Sequence, residues 1–166
     1  MTQITFKGTP IHTVGSLPSL HAKAPDFTLV DSDLRSCSLK DFAGKKKLLA
    51  TVPSLDTGVC SLMTKHLNQF AITHPHYEVL VVSADLPFAQ KRFCQAEKVQ
   101  NVRTLSMMRD KEFGRAYGVL MQDGPLAGLL ARALFVLNES NELLYAELVA
   151  EVTHEPQYDK AFQYSG

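Results

Sequence analysis

The feature that most constrains this 166-residue chain is the join Pro53-Ser54-Leu55-Asp56-Thr57-Gly58-Val59-Cys60, between an apolar run and an amphipathic stretch. The run Leu48-Leu49-Ala50-Thr51-Val52 is short, largely apolar and closed by a proline, which predicts a buried strand. Beyond the join, Cys60, Met63, Leu67, Phe70 and Ala71 recur at spacings of three and four, as one face of a helix requires. Asp56 or Thr57 can cap that helix, because each carries a side-chain oxygen for an orphan backbone N–H. Cys60 then falls in the first turn. Free N–H groups and the positive end of the helix dipole favour a thiolate there over a thiol.

Composition narrows the class. The length suits one domain with a proper core, over residues 1–166. Basic and acidic residues balance at 17 each, so no net field draws the chain to nucleic acid or to an anionic membrane. No stretch approaches the roughly 20 apolar residues that a membrane span needs. Met1-Thr2-Gln3-Ile4-Thr5-Phe6-Lys7 lacks the basic flank and apolar core of a signal peptide, which makes the cytoplasm the default address. Cysteines at 37, 60 and 94 are unlike structural staples in that compartment, and no Cys-x-x-Cys is present. The basic run Lys45-Lys46-Lys47 reads as a solvated turn and strand edge.

Along the chain, residues 2–6 alternate, Gly8-Thr9-Pro10 supplies a turn, and residues 11–14 run back as a second strand. Residues 24–30 resume strand character, and residues 38–42 form a short helical turn ended by Gly44. After the Cys60 helix, His74-Pro75-His76 stops it, and residues 78–83 form another buried strand. Pro87 opens a helix whose buried face draws on Phe88, Phe93 and Ala96. Residues 102–106 form a strand and residues 112–117 a short helix with Gly118 at its end. Residues 131–137 and 142–150 pair as a hairpin, and Pro156 opens a final helix. Near-continuous apolar strands expect helices on both faces of the sheet.

The pattern Pro-x-x-x-Thr-x-x-Cys, carried by Pro53, Thr57 and Cys60, resembles the active-site signature of the peroxiredoxins. Longer blocks strengthen the likeness: Ser54-Leu55-Asp56-Thr57-Gly58-Val59-Cys60, Ser83-Ala84-Asp85-Leu86-Pro87-Phe88-Ala89-Gln90 with Arg92-Phe93-Cys94, and Asp123-Gly124-Pro125-Leu126 with Ala131-Arg132-Ala133. All are similar to the bacterial thiol peroxidase subfamily and stand in its order. The resemblance, together with the β-α-β-α-β order, implies an α/β thioredoxin-like (peroxiredoxin) fold. That fold has a central mixed sheet, flanking helices and an N-terminal β-hairpin over residues 1–15. It implies a thiol-dependent peroxidase of the atypical two-cysteine type, reducing hydrogen peroxide and alkyl hydroperoxides. Cys60 is then the peroxidatic nucleophile and Cys94 the resolving partner in an intramolecular disulfide. Arg132 stabilises the thiolate and polarises the peroxide, while Pro53 shields the sulfur. A thioredoxin-like dithiol as reductant and a homodimer packed near the active-site helices also follow from the resemblance. No metal, haem or flavin is needed, because sulfur supplies both nucleophile and electrons.

A free cysteine, with a pKa near 8.5, is about 3 per cent thiolate at pH 7, so full ionisation adds only about 30-fold in rate. A peroxidase must also stabilise the displaced oxygen. The Thr57 hydroxyl can accept from or donate to a peroxide, and N–H groups near Cys60 can hold its oxygens. From spacing alone, Arg132 reads as a strand-end arginine whose stem packs while its head reaches water; the resemblance reverses that ranking. For Cys60 the plain alternative is a buried inert thiol, and for Cys94 a small core residue. Cys37 matches no motif and reads as a loop or edge thiol, open to stray disulfides. His66 lies about 240° around the helix from Cys60, badly placed as a base. Met63 and Met107-Met108 read as core filling or as an apolar rim. A redox sensor or holdase could use the same cysteine pair without turnover, and a general disulfide oxidoreductase would want the missing Cys-x-x-Cys.

Overall fold

The structure is a computed structural model that describes residues 1–164. Two antiparallel strands open it, β1 (Thr2–Phe6) and β2 (Thr9–Thr13). Their turn is the two-residue Lys7-Gly8, both at positive φ, one position earlier than Gly8-Thr9-Pro10 suggested. Such a turn matches the right-handed twist of the strands. Two short strands follow, β3 (Leu29–Val30) and β4 (Ser36–Cys37), with a 3-10 turn at Leu39–Phe42. The strand expected over residues 24–30 therefore shrinks to its last two residues. Asp26 explains part of this, because its carboxylate accepts from the N–H groups of Phe27 and Leu39 and ties that segment into a loop.

The central elements are β5 (Lys46–Thr51), α1 (Gly58–Thr73), β6 (Tyr77–Ser83), α2 (Pro87–Ala96) and β7 (Arg103–Ser106). Then come α3 (Glu112–Ala116), β8 (Ala133–Leu137), β9 (Leu143–Leu148) and α4 (Tyr158–Phe162). One mixed sheet runs β4-β3-β7-β6-β5-β8-β9, with β5, β6 and β7 parallel and β8 antiparallel to β5. Period-two alternation sorts the central strands onto two faces. Leu48, Ala50, Val79, Val81, Leu134 and Val136 pack on the α1 side, with Leu67 and Phe70 of the helix. Leu49, Leu80, Val82, Phe135 and Leu137 pack on the other, with Phe113 and Tyr117. Leu67 is fully buried, and truncation to alanine is worth about 2–5 kcal/mol at such a position.

A third, smaller cluster joins Ile4 and Ile11 of the hairpin to Met121, Ala131 and Val152. The hairpin turn is pinned by the Glu151 carboxylate, which accepts from Gly8 N at 2.9 Å, Lys7 N at 3.2 Å and Thr5 Oγ1 at 2.9 Å. The Thr153 N–H above all, with the Gly8 N–H and the Thr153 and Thr5 hydroxyls, holds the Glu151 carboxyl down at about 2. At Gly118, φ is +69° and a Cβ would lie 2.2 Å from the Ser16 carbonyl oxygen, so only glycine fits.

Two readings of the sequence are corrected here. Lys47 is fully buried in a strand flanked on both sides, not solvated at an edge. Its ammonium donates to Asn141 Oδ1, and burial lowers its pKa. On α2, Phe88 is 67% exposed and Ala96 is exposed, so neither lies in a buried face. The buried positions are Pro87 and Gln90, with Phe93 half-buried; the Gln90 amide bonds Ser83 Oγ and the Leu105 carbonyl, which turns Phe88 outward. Among the described residues, no helix is long and apolar enough to cross a membrane.

Candidate active site

The segment between β5 and α1 carries Pro53, Thr57 and Cys60. Pro53 lies two residues beyond the end of β5 and is buried. Thr57 is the N-cap of α1: its backbone is extended at φ −97°, and its Oγ1 accepts from the Cys60 N–H at 3.4 Å. The same hydroxyl donates to the Ser54 carbonyl at 3.2 Å. Cys60 thus sits in the first turn of a 16-residue helix, as the spacing predicts, with its sulfur turned towards the sheet.

Arg132 comes from the far side of the sheet order. It precedes β8, and alternation places residue 132 on the face of Leu134 and Val136, which is the face α1 covers. Its Nη1 donates to Cys60 Sγ at 3.3 Å, and its Nε donates to the Val152 carbonyl at 3.0 Å. Met63, one turn after Cys60, places its sulfur 3.7 Å from the same Nη1. The guanidinium is only 2% exposed, so the reading in which its head reaches water does not hold. None of the ion pairs among the described residues includes Arg132. A buried cation without a carboxylate is costly, and a thiolate at 3.3 Å would be its counter-charge.

Cys60 itself has 0% exposure. Three surface grooves, one of them beside Cys94, are lined by other residues. Thr57 is exposed and Val59 half-buried on the turn that carries Cys60.

Cys94 is half-buried on α2 and packs against the cluster to which Cys60 belongs. It lines a groove of about 460 Å³ with Lys91, Lys98, Arg103 and Thr104. Burial pushes its thiol up, while the Thr104 side chain lowers it. Cys37, Cys60 and Cys94 are all free thiols. Cys37 lies on the edge strand β4, as expected, but its side chain is 6% exposed. Burial, then the Asp41 charge, push it up to about 11, which argues against stray disulfides. His66 is a surface residue tilted against Tyr158, ring centroids 4.9 Å apart, with Nε2 3.6 Å from Glu155.

Two participants were invisible to sequence reasoning. The Val152 carbonyl that orients Arg132 is a backbone group, and no side-chain pattern marks it. Asp85 lies in the stretch Ser83-Ala84-Asp85-Leu86-Pro87, where no local pattern marks its partners. Its carboxylate accepts from Leu55 N at 2.8 Å and from the Ser54 hydroxyl at 2.7 Å, tying the Cys60 loop to the start of α2.

Comparison with known proteins agrees with this geometry. The Redoxin family model matches residues 20–162. A thiol peroxidase of Leptospira interrogans is 50% identical over 163 residues, covering 97% of this chain and 95% of that protein. A thiol peroxidase of Staphylococcus aureus is 50% identical over 161 residues, covering 97% and 96%. The crystal structure of a peroxiredoxin-like protein from Aquifex aeolicus superposes with a TM-score of 0.93 at 38% identity, over 99% of this chain and 96% of that one. With a thiol capped into a helix start beside a buried guanidinium, and with relatives of this closeness along nearly its whole length, the chain belongs to the redoxin family, among its peroxiredoxin enzymes of the bacterial thiol peroxidase kind.

Proposed function

We propose that this chain reduces hydrogen peroxide and alkyl hydroperoxides with Cys60 as the nucleophile. The observation that carries the reading is the Arg132 guanidinium, 2% exposed, unpaired with any carboxylate among the described residues and donating to Cys60 Sγ at 3.3 Å. The Cys60 thiolate attacks one peroxide oxygen; the O–O bond breaks, the other oxygen leaves as hydroxide or alkoxide, and a proton from solvent converts it to water or alcohol. Cys60 is left as a sulfenic acid. Arg132 and the first-turn N–H groups hold the charge that develops on the departing oxygen, and Thr57 steers the peroxide. Because Cys60 is fully buried, the Thr57-Gly58-Val59 rim must yield slightly for a peroxide to enter.

Cys94 then attacks the sulfenic sulfur, water leaves, and a Cys60–Cys94 disulfide forms. A thioredoxin-like dithiol reduces it by exchange, two electrons passing to the protein. Each thiol faces a different partner, Arg132 for Cys60 and Thr104 for Cys94, and the reading includes local unwinding around one or both helices to bring the two sulfurs within disulfide reach. The reading includes a homodimer, supported by Leu86 and Phe88, 54% and 67% exposed beside Asp56 at the rim of the site.

The test is mass spectrometry after one equivalent of peroxide, followed by turnover with thioredoxin and its reductase. A Cys60–Cys94 disulfide and consumption well beyond one equivalent per chain are expected. Cys94→Ser is expected to complete one oxidation and stall as sulfenic or sulfinic Cys60. Normal cycling by Cys94→Ser would remove the intramolecular step, and consumption that stops at one equivalent in the native chain would make it a sensor.

A further inference from the structure

The block Ser83-Ala84-Asp85-Leu86-Pro87 stands between the two cysteines in sequence, and its polar side chains join the segment before α1 to the start of α2 in one network. The Asp85 carboxylate takes the Ser54 hydroxyl on Oδ1 at 2.7 Å. Its Oδ2 takes the Leu55 N–H at 2.8 Å and the Ser83 hydroxyl at 2.7 Å. The Asp85 backbone is fixed in turn: its N–H donates to Ser83 Oγ at 3.3 Å, and its carbonyl accepts from the Ser106 hydroxyl at 2.6 Å. Gln90, fully buried on α2, donates its amide to Ser83 Oγ at 3.0 Å and to the Leu105 carbonyl at 2.9 Å.

This network has a rigid side and a side able to let go. The ends of β6 and β7 and the first turns of α2 hold Asp85 from behind. Ahead of it are only Ser54 and Leu55, in the irregular segment that leads to the Thr57 cap and Cys60. Three donors on one carboxylate are charge-assisted bonds, stronger than ordinary ones. The Ser54 carbonyl in turn receives the Thr57 hydroxyl and N–H, so Ser54 is where the clamp and the cap meet.

We propose that Asp85 is a positioning residue, a latch that sets the balance between a closed loop, with Cys60 held against Arg132, and an open loop in which Cys60 can reach Cys94. The inference rests on the two-cysteine peroxidase reading above. A latch of this kind favours peroxide attack over disulfide closure, and weakening it moves the balance the other way. Where closure proceeds through a minor open state, its rate scales with that state's population, while the closed majority changes little. The two steps therefore respond unequally, which a general loss of packing would not produce.

The test is rapid-quench mass spectrometry of the full chain and of Asp85→Asn, timing Cys60 oxidation and Cys60–Cys94 closure separately. Closure is expected to quicken about tenfold in Asp85→Asn, with Cys60 oxidation unchanged or slowed and less sulfinic acid formed in excess peroxide. Ser54→Ala removes one donor to Asp85, and with it the acceptor of the Asp56 N–H, but preserves the Leu55 bond, so it should move closure in the same direction by roughly threefold. It serves in place of Asp85→Asn should that variant fail to fold. Closure that is unchanged or slower in a folded variant overturns the latch. If the native chain itself forms no Cys60–Cys94 disulfide, the peroxidase reading of the pair fails and the latch falls with it.

Discussion

Cys60 and Cys37 are both thiols withdrawn from water, 0% and 6% exposed, on opposite faces of the same sheet. Their surroundings are opposite in sign. Cys60 lies in the first turn of a long helix, with a buried guanidinium 3.3 Å from its sulfur. Cys37 lies on an edge strand near Asp41, and burial together with that carboxylate push its thiol up to about 11. Burial alone therefore does not settle a cysteine's role: at Cys37 it is the larger cause of the raised thiol, with the Asp41 charge adding to it, whereas Cys60 is buried against a guanidinium.

The largest effect expected from this contrast is at the sulfur itself. Cys60→Ser should abolish peroxide reduction, whereas Cys37→Ser, in the core cluster on the other face of the sheet, should leave the rate of the folded protein within about twofold. Both are read from peroxide consumption coupled to thioredoxin; equal losses would erase the distinction between the two thiols.

Next in size is the guanidinium. Arg132→Lys keeps a charge but loses the planar fork that serves the Val152 carbonyl and Cys60 Sγ together. Loss of one preorganised donor is worth about a hundredfold or more, so Cys60 oxidation should slow on the order of a hundredfold in a folded protein. Stopped-flow oxidation paired with circular dichroism checks both halves of that statement.

A pH series sharpens the other half. With its thiol raised from 9.0 to about 11, folded Cys37 has about a hundredfold less thiolate at pH 8 than an unperturbed cysteine. Iodoacetamide labelling of Cys37 in the folded chain should climb tenfold per pH unit and level off only near pH 11. The neutral thiol is the form that the fold favours. Unfolded chains ionise first as pH rises past 9, so this group's contribution to stability fades between pH 9 and about 11. Rapid labelling of Cys37 at pH 8 in native protein would contradict its account.

The smallest effect is expected at the cap. Thr57→Ala removes the bond to the Cys60 N–H and should lower stability by about 1 kcal/mol, read as a shift in the urea midpoint. Thr57→Ser should restore most of it. A slowing of peroxide attack that serine also restores would tie the hydroxyl to chemistry as well as to the helix.

Much of this architecture is legible from residues read in order. The strand ending at Thr51, the helix Gly58–Thr73 with its Thr57 cap, and Pro87 at the start of α2 all announce themselves, because strand alternation, helical spacing and caps are properties of neighbours. The readings that erred concern partners far away. Lys47 looked solvated because its three-lysine neighbourhood is polar, yet Asn141, 94 positions on, gives its ammonium a half-buried acceptor. Phe88 looked buried because it is apolar, yet Gln90 takes the inward side of a short helix by bonding Ser83 and Leu105.

From the sequence alone came a thiol at a capped helix start and a strand-helix alternation, since both rest on periods of two and 3.6 residues and on chemistry within a turn of each residue, while the peroxiredoxin likeness was carried by the motif blocks. Only the tertiary structure decided that Arg132 meets Cys60 across 72 positions, that the Val152 carbonyl aims it, and that Asp85 ties the Cys60 loop to α2. The reason is sheet order: β8 joins beside β5 in antiparallel register, and that pairing, invisible in any local window, chooses which residue stands over the helix end.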